Sequence, residues 1–130
     1  MSGEMDLAIL LRSMEPVLHA VPYGYGLISK GAAVPEGAFA VIAEAEGMTV
    51  VAEAAALARV AIAFDGQWAR ISLTVHSALA AVGLTAAIAA ALAKQGISAN
   101  VVAGFYHDHV FVQWARRADA MAALNALRTA

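Results

Sequence analysis

The sequence predicts an α+β fold in which helices alternate with antiparallel strands, and three observations point to it. Between residues 68 and 128 the hydrophobic period changes from two to about 3.6 and back, as it does where strands give way to helices. Gly96 stands where an apolar helical stripe stops, in the manner of a helix-ending glycine. Two apolar runs, AFAVIA at 38–43 and MTVVAE at 48–53, flank the polar Glu44-Ala45-Glu46-Gly47 and read as a hairpin.

Taken in order, Leu7, Leu10, Leu11 and Met14 follow helical spacing, and Pro16 closes that helix. An extended stretch follows in which Pro22, Gly24, Gly26, Gly31, Pro35 and Gly37 read as turn punctuation. After the hairpin, a short alanine-rich helix at 53–60 leads to the turn Asp65-Gly66, a candidate boundary that divides the chain into halves 1–64 and 65–130. Strand 68–76 ends in the alternating ISLTVH. A helix at 83–95 then puts Leu84, Ile88 and Leu92 on one stripe. Strands 97–103 and 109–114 flank the turn GFYHD, and a helix at 117–128 turns Met121, Leu124 and Leu127 inward. This β-α-β-β-α order is one strand short of the split β-α-β, ferredoxin-like fold (βαββαβ), and a strand from the N-terminal half supplies the sixth element. Because the first half also alternates helix and strand, two such units in tandem are expected, each an antiparallel sheet with helices on one face.

Composition narrows the function classes. The chain has 130 residues, 62% of them hydrophobic and 14% charged, with a formal charge of −2 and no cysteine. No clustered basic surface exists for phosphates, since among the scattered Lys and Arg only Arg116-Arg117 adjoin, so no nucleic-acid partner is expected. Residues 71–93 are uncharged and long enough to cross a bilayer, but they resolve into a strand and an alanine-rich helix. Glu4 and Asp6 stand where a signal peptide carries positive charge. A cytoplasmic protein without a membrane partner and without a cofactor is expected.

The stretch FYHDHVFVQW at 105–114 raises the question of a metal or catalytic site. Strands 68–76 and 109–114 are expected to run parallel as neighbours, with His76 ending one and His109 beginning the other. Five steps of about 3.3 Å would then hold them roughly 17 Å apart, far beyond one metal centre. His76-Ser77 has no evident carboxylate to orient it, so a catalytic dyad is not expected either. The hairpin reads as a polar tip that packs or caps at an interface between units. A small metal-dependent enzyme using His107, Asp108 and His109 is the weakest alternative.

Residues 74–114, TVHSALAAVGLTAAIAAALAKQGISANVVAGFYHDHVFVQW, resemble the core of an ACT domain, the regulatory module that binds amino acids. The chain as a whole is similar to small stand-alone proteins built from two ACT-like halves, with FAVIAEAEGMTVV as the matching piece of the first. The resemblance implies a non-enzymatic, allosteric amino-acid sensor, with a homodimer expected. It implies a ligand held between the helix-starting loop of one unit and the second strand of an adjoining unit. That loop spans Ser77 to Leu84, and free N–H groups near Val82, Gly83 and Leu84 would suit an α-carboxylate. Asn100 and Val101 fall on the second strand, where the family often carries a polar ligand. Glu44 and Glu46 are the candidates for an ammonium or guanidinium. The family's frequent Pro-Gly is replaced by Ala81-Val82-Gly83. The tip at His107 is expected at the far end of the strand from this cleft. A structural or oligomerising module without a ligand is the alternative.

Overall fold

The computed structural model describes residues 6–75 and 81–129. Its elements are α1 (Leu7–Ser13), β1 (Pro16–Leu18), β2 (Tyr23–Ile28), β3 (Ala40–Ala43), β4 (Met48–Glu53), α2 (Ala54–Arg59) and β5 (Phe64–Leu73). There follow α3 (Leu84–Lys94), β6 (Asn100–Ala103), β7 (Asp108–Gln113), a 3-10 turn and α4 (Arg117–Leu127). They fall into two compact units, a larger one of residues 1–19 with 69–130 and a smaller one of residues 20–68. Strand β5 therefore gives its first five residues to the smaller unit and its last five to the larger. The compact units are not the sequential halves 1–64 and 65–130, because α1 and β1 pack with the C-terminal elements.

In the larger unit the strand order is β1-β5-β7-β6. The expected sixth element does come from the N-terminal half: β1 pairs antiparallel with β5, Pro16 opposite Leu73 and Leu18 opposite Ile71. Strand β6 pairs antiparallel with β7, Asn100 opposite Phe111 and Ala103 opposite Asp108. One sheet face carries Ile71, Leu73, Val110 and Val112, and these bury against Leu10 of α1, Met14 just after it, Ile88 and Leu92 of α3, and Leu124 of α4. Leu10, Ile88, Leu92 and Leu124 are each fully buried, and helical spacing alone puts Ile88 and Leu92 on one stripe. Helix α1 starts at Asp6, whose Oδ1 accepts the Ile9 N–H at 3.2 Å, a typical N-cap.

The expected parallel pairing of β5 with β7 is overturned. Ser72 meets His109, and Val75 meets His107, so residue numbers fall on one strand as they rise on the other. These are antiparallel neighbours, as a split β-α-β unit requires when its third strand lies between the first two.

In the smaller unit the order is β3-β4-β2-β5. All the pairings are antiparallel: Tyr23 to Ile28 run opposite Glu53 to Met48, Ala40 to Ala43 opposite Val51 to Met48, and Tyr23 opposite Trp68. Strand β2 occupies what the sequence marks as turn punctuation. Gly24 and Gly26 sit within it because other side chains lie directly on the backbone: a Cβ at Gly24 would stand 2.6 Å from Phe64 Cδ2, and one at Gly26 2.8 Å from Ile62 Cγ2. The core under α2 is Val50, Ala52 and Leu57, with Ile28, Ala38, Ile62 and Phe64 partly buried around it. Here the crossover from β2 to β3, residues 29–39, contains no helix. Among the described residues no helix is long and apolar enough to cross a membrane.

Candidate functional site

The helix-starting loop of the larger unit ends at Gly83, the N-cap of α3. Its φ of +101° is a left-handed conformation that glycine adopts without strain, and a Cβ there would stand 3.0 Å from Leu7 Cδ2. The glycine is thus demanded by the backbone and by α1 packing. No side chain caps α3, and the first N–H bonded back to the loop is Ala87 on the Gly83 carbonyl at 2.9 Å. The N–H groups of Leu84, Thr85 and Ala86 precede the first intrahelical bond and point out of the helix end. Val82 is 82% exposed and Leu84 is buried, so the loop turns from solvent into the core within two residues. Ser77 and His76 lie outside the described residues.

Asn100 and Val101 open β6, Asn100 exposed and Val101 packed against the core. Asn100 is opposite Phe111, three residues before the end of the strand that meets Asp108, so it lies about 10 Å down the sheet from the end where β5 feeds the loop. The hairpin tip lies at that end: His107 Nδ1 is 3.5 Å from the Val75 carbonyl, at the start of the helix-leading loop. The expectation that the tip stands at the far end from that loop is corrected by the antiparallel course of β7. Glu44 and Glu46 occupy the β3-β4 turn in the smaller unit, both exposed, and Glu44 accepts a hydrogen bond from the Thr49 hydroxyl.

One further cluster escaped the sequence reading. On the sheet face opposite α3 and α4, Ser72 Oγ lies 2.9 Å from His19 Nε2 and 2.8 Å from His109 Nδ1. A hydroxyl has one proton, so Ser72 donates to one imidazole and accepts from the other, which fixes opposite tautomeric roles for the two rings. Burial, and then the charges of Arg70, His107 and His19, push His109 down to about 4. The ring is neutral at ordinary pH. Asp108 projects to the helix side with Val110 and Val112, and burial raises its carboxyl above the usual range while His107 works against that. His109 and Asp108 thus point to opposite faces, and the described residues contain no group of three metal-ligating side chains. The cluster was legible only as polar alternation in Arg70 and Ser72; nothing in the sequence says which strand would face them.

Two models described as ACT domain match the chain, one over residues 2–67 and the other over residues 64–126. The chain belongs to the ACT domain family. A solved structure of a Vibrio cholerae protein of unknown function, described as a possible transport protein, is 42% identical to this ACT protein, with 98% of this chain and 99% of that one covered and a TM-score of 0.82. The regulatory subunit of aspartate kinase from Thermus thermophilus shares the fold at 14% identity, covering 88% of this chain and 98% of its own, with a TM-score of 0.58. The corresponding subunit from Thermus flavus does so at 13% identity, 86% and 95% coverage and a TM-score of 0.61. No curated protein matches the sequence. Two ACT-type units in tandem give the chain an α+β, ferredoxin-like architecture and, in general terms, a regulatory, amino-acid-sensing role. Neither matching model is that of a catalytic family.

Proposed function

We propose that this ACT protein is a non-catalytic sensor that binds an amino acid at a composite site between two copies. One copy lends the loop to α3, with the carboxylate on N–H groups near Val82, Gly83 and Leu84; the second lends Asn100 and Val101 from β6. The observation that carries this reading is the bare start of α3, where a left-handed Gly83 leaves first-turn N–H groups without a side-chain cap. Asn100 lies three residues, roughly 10 Å, along β6 from the strand end that pairs with Asp108, and this favours a second copy as the donor of the strand. Strand β6 is the outer strand of its sheet order and carries no charge, so its backbone is available to a second sheet edge. Glu44 and Glu46 are the carboxylates kept in reserve for the ligand's cation, with Glu44 needing to release Thr49.

Calorimetry with the proteinogenic amino acids, together with light scattering, tests the reading. Asn100→Ala is expected to weaken binding by about 1–2 kcal/mol, roughly 5- to 30-fold. Asn125→Ala, on the exposed side of α4, is the neutral control. His107→Ala is not a neutral control, since its ring meets Val75 at the start of the loop. Gly83→Val is no clean probe either, because a side chain there strains the backbone and crowds Leu7. An Asn100→Ala protein that binds as tightly as the parent, or a monomer that binds in full, overturns the composite site.

A further inference from the structure

His19, Ser72 and His109 join three strands that are anchored unequally. Strand β7 lies between β5 and β6, and its Val110, Phe111 and Val112 are fully buried. Strand β1 is three residues long with Val17 45% exposed, and its first residue, Pro16, has no N–H to give to a ladder. The two ends of β1 are held differently. Before its start, the Glu15 carbonyl accepts from the Thr74 N–H at 3.2 Å and from the Thr74 hydroxyl at 2.8 Å. Past its end, the His19 N–H donates to the Arg70 carbonyl at 2.9 Å, and the His19 ring meets the buried Ser72 hydroxyl.

The hold at the His19 end works only while the rings are neutral. Ser72 gives its one proton to an imidazole lone pair, and a protonated ring has no lone pair to offer. Two protonated rings would also face each other as like charges across one oxygen, with Arg70 of β5 and His107 of β7 adding to the repulsion at His109. The neighbouring acids do not relieve this. Asp108 projects to the helix side, and Glu15 is exposed at the other end of β1. Strand β6, Asn100–Ala103, carries no titratable side chain.

We infer that the His19–Ser72–His109 bridge is an acid-opened latch: when the rings take up protons, the His19 end of β1 peels from β5 while the Glu15 end stays held by Thr74. Residues 17–19 then leave the β5 backbone at 70–72 as an unpaired sheet edge. Strand β1 yields rather than β7, because β7 is paired on both sides and buried. Burial, and then the charges of Arg70, His107 and His19, hold His109 down to about 4 in the closed state. The latch is therefore complete above the ordinary imidazole value near 6.5 and is lost as pH falls toward 4. It lies wholly in the larger unit and does not depend on the composite site proposed above.

The test is native-state hydrogen exchange of the full chain, read by NMR between about pH 7 and pH 4.5. Protection of the His19 N–H is expected to fall by about tenfold for each pH unit below about 6, after correction for intrinsic exchange. At about pH 5 it should be at least about tenfold less protected than the Leu92 N–H of α3, and low urea should speed exchange at Leu92 but not at His19. His19→Gln combined with His109→Asn puts amides in place of both rings; these can still bond Ser72 but cannot titrate. The double variant should keep the protection of His19's backbone position at neutral pH and lose the pH dependence, with circular dichroism to check its fold. Protection at His19 in the parent that stays level over the range overturns the inference. So does protection that falls only together with Leu92 and with the same urea dependence, which is global unfolding. A folded double variant that retains the parent's pH dependence overturns it as well.

Discussion

The two units solve the same strand order with different crossovers. In the larger unit α3 spans 11 residues and buries Leu84, Ile88 and Leu92, and the cluster it joins contains Leu10, Met14, Ile71, Leu73, Val110, Val112 and Leu124. In the smaller unit the corresponding connection is irregular, and among the described residues the cluster buried under α2 is the smaller one of Val50, Ala52 and Leu57. A helix laid on a sheet hides apolar area from water in proportion to its buried face, so the first arrangement is the stronger reservoir of stability. The second leaves most of that connection exposed, so the contrast is one of burial.

The largest effect expected from breaking this contrast is in the larger core. Ile88→Ala removes a fully buried side chain enclosed by three helices and the sheet, and should cost about 3–5 kcal/mol in urea unfolding. Leu57→Ala, equally buried but under a thin, partly exposed layer that can settle into the gap, should cost less, about 2–3 kcal/mol. An equal or larger loss at Leu57 would remove the distinction between the cores.

Gly24→Ala sharpens the comparison from the side of the smaller unit. The new methyl would meet the Cδ2, Cγ and Cβ of Phe64, so the ring's root and its backbone must shift, at a cost of about 1–3 kcal/mol. Native-state hydrogen exchange should show the loss first in residues 23–28 and 48–53. Uniform loss across α3 and α4 as well would make the two units one cooperative block.

The smallest effects are electrostatic and belong to the larger unit. His109 is held down to about 4, so between its ordinary value near 6.5 and about 4 the unfolded chain takes up a proton that the folded chain refuses. Stability from this ring is therefore intact above about pH 6.5 and is lost as pH falls toward 4; His109→Asn should flatten that part of the profile. Asp108 has the opposite sign. Its raised carboxyl means that ionisation opposes folding, so Asp108→Asn should stabilise the protein at neutral pH and lose that advantage in acid. Thermal melts from pH 4 to 8 read both, and a parent-like slope in His109→Asn would show that the ring titrates normally.

Much of the larger unit was legible in the sequence because its period changes are clean: Leu84, Ile88 and Leu92 specify α3, and Met121, Leu124 and Leu127 line one side of α4. Strand β1, three residues that begin with Pro16, is too short to carry a period. Strand β2 was hidden for a different reason. Gly24 and Gly26 look like turns locally and become strand residues only because Phe64 and Ile62, some 40 residues on, need the space above them. The candidate site divided in the same way. Gly83 and the start of α3 were placed by local pattern, whereas the meeting of His19, Ser72 and His109 depends on strand direction, and the parallel assignment of β5 and β7 concealed it.

Strand β1 also bears on the order in which the chain can assemble. Val17 pairs with Ser72, and the whole smaller unit lies in the sequence between them. Closing a loop of about 50 residues from a disordered chain is entropically expensive, but Tyr23 already pairs with Trp68 once the smaller unit has formed. The effective loop then shrinks to about eight residues, 18–22 with 69–71, which lowers the closure cost by about 1.7 kcal/mol. During synthesis the earliest strand of the larger unit must wait for its neighbour, and the modest inserted unit acts as the clasp that hands it over.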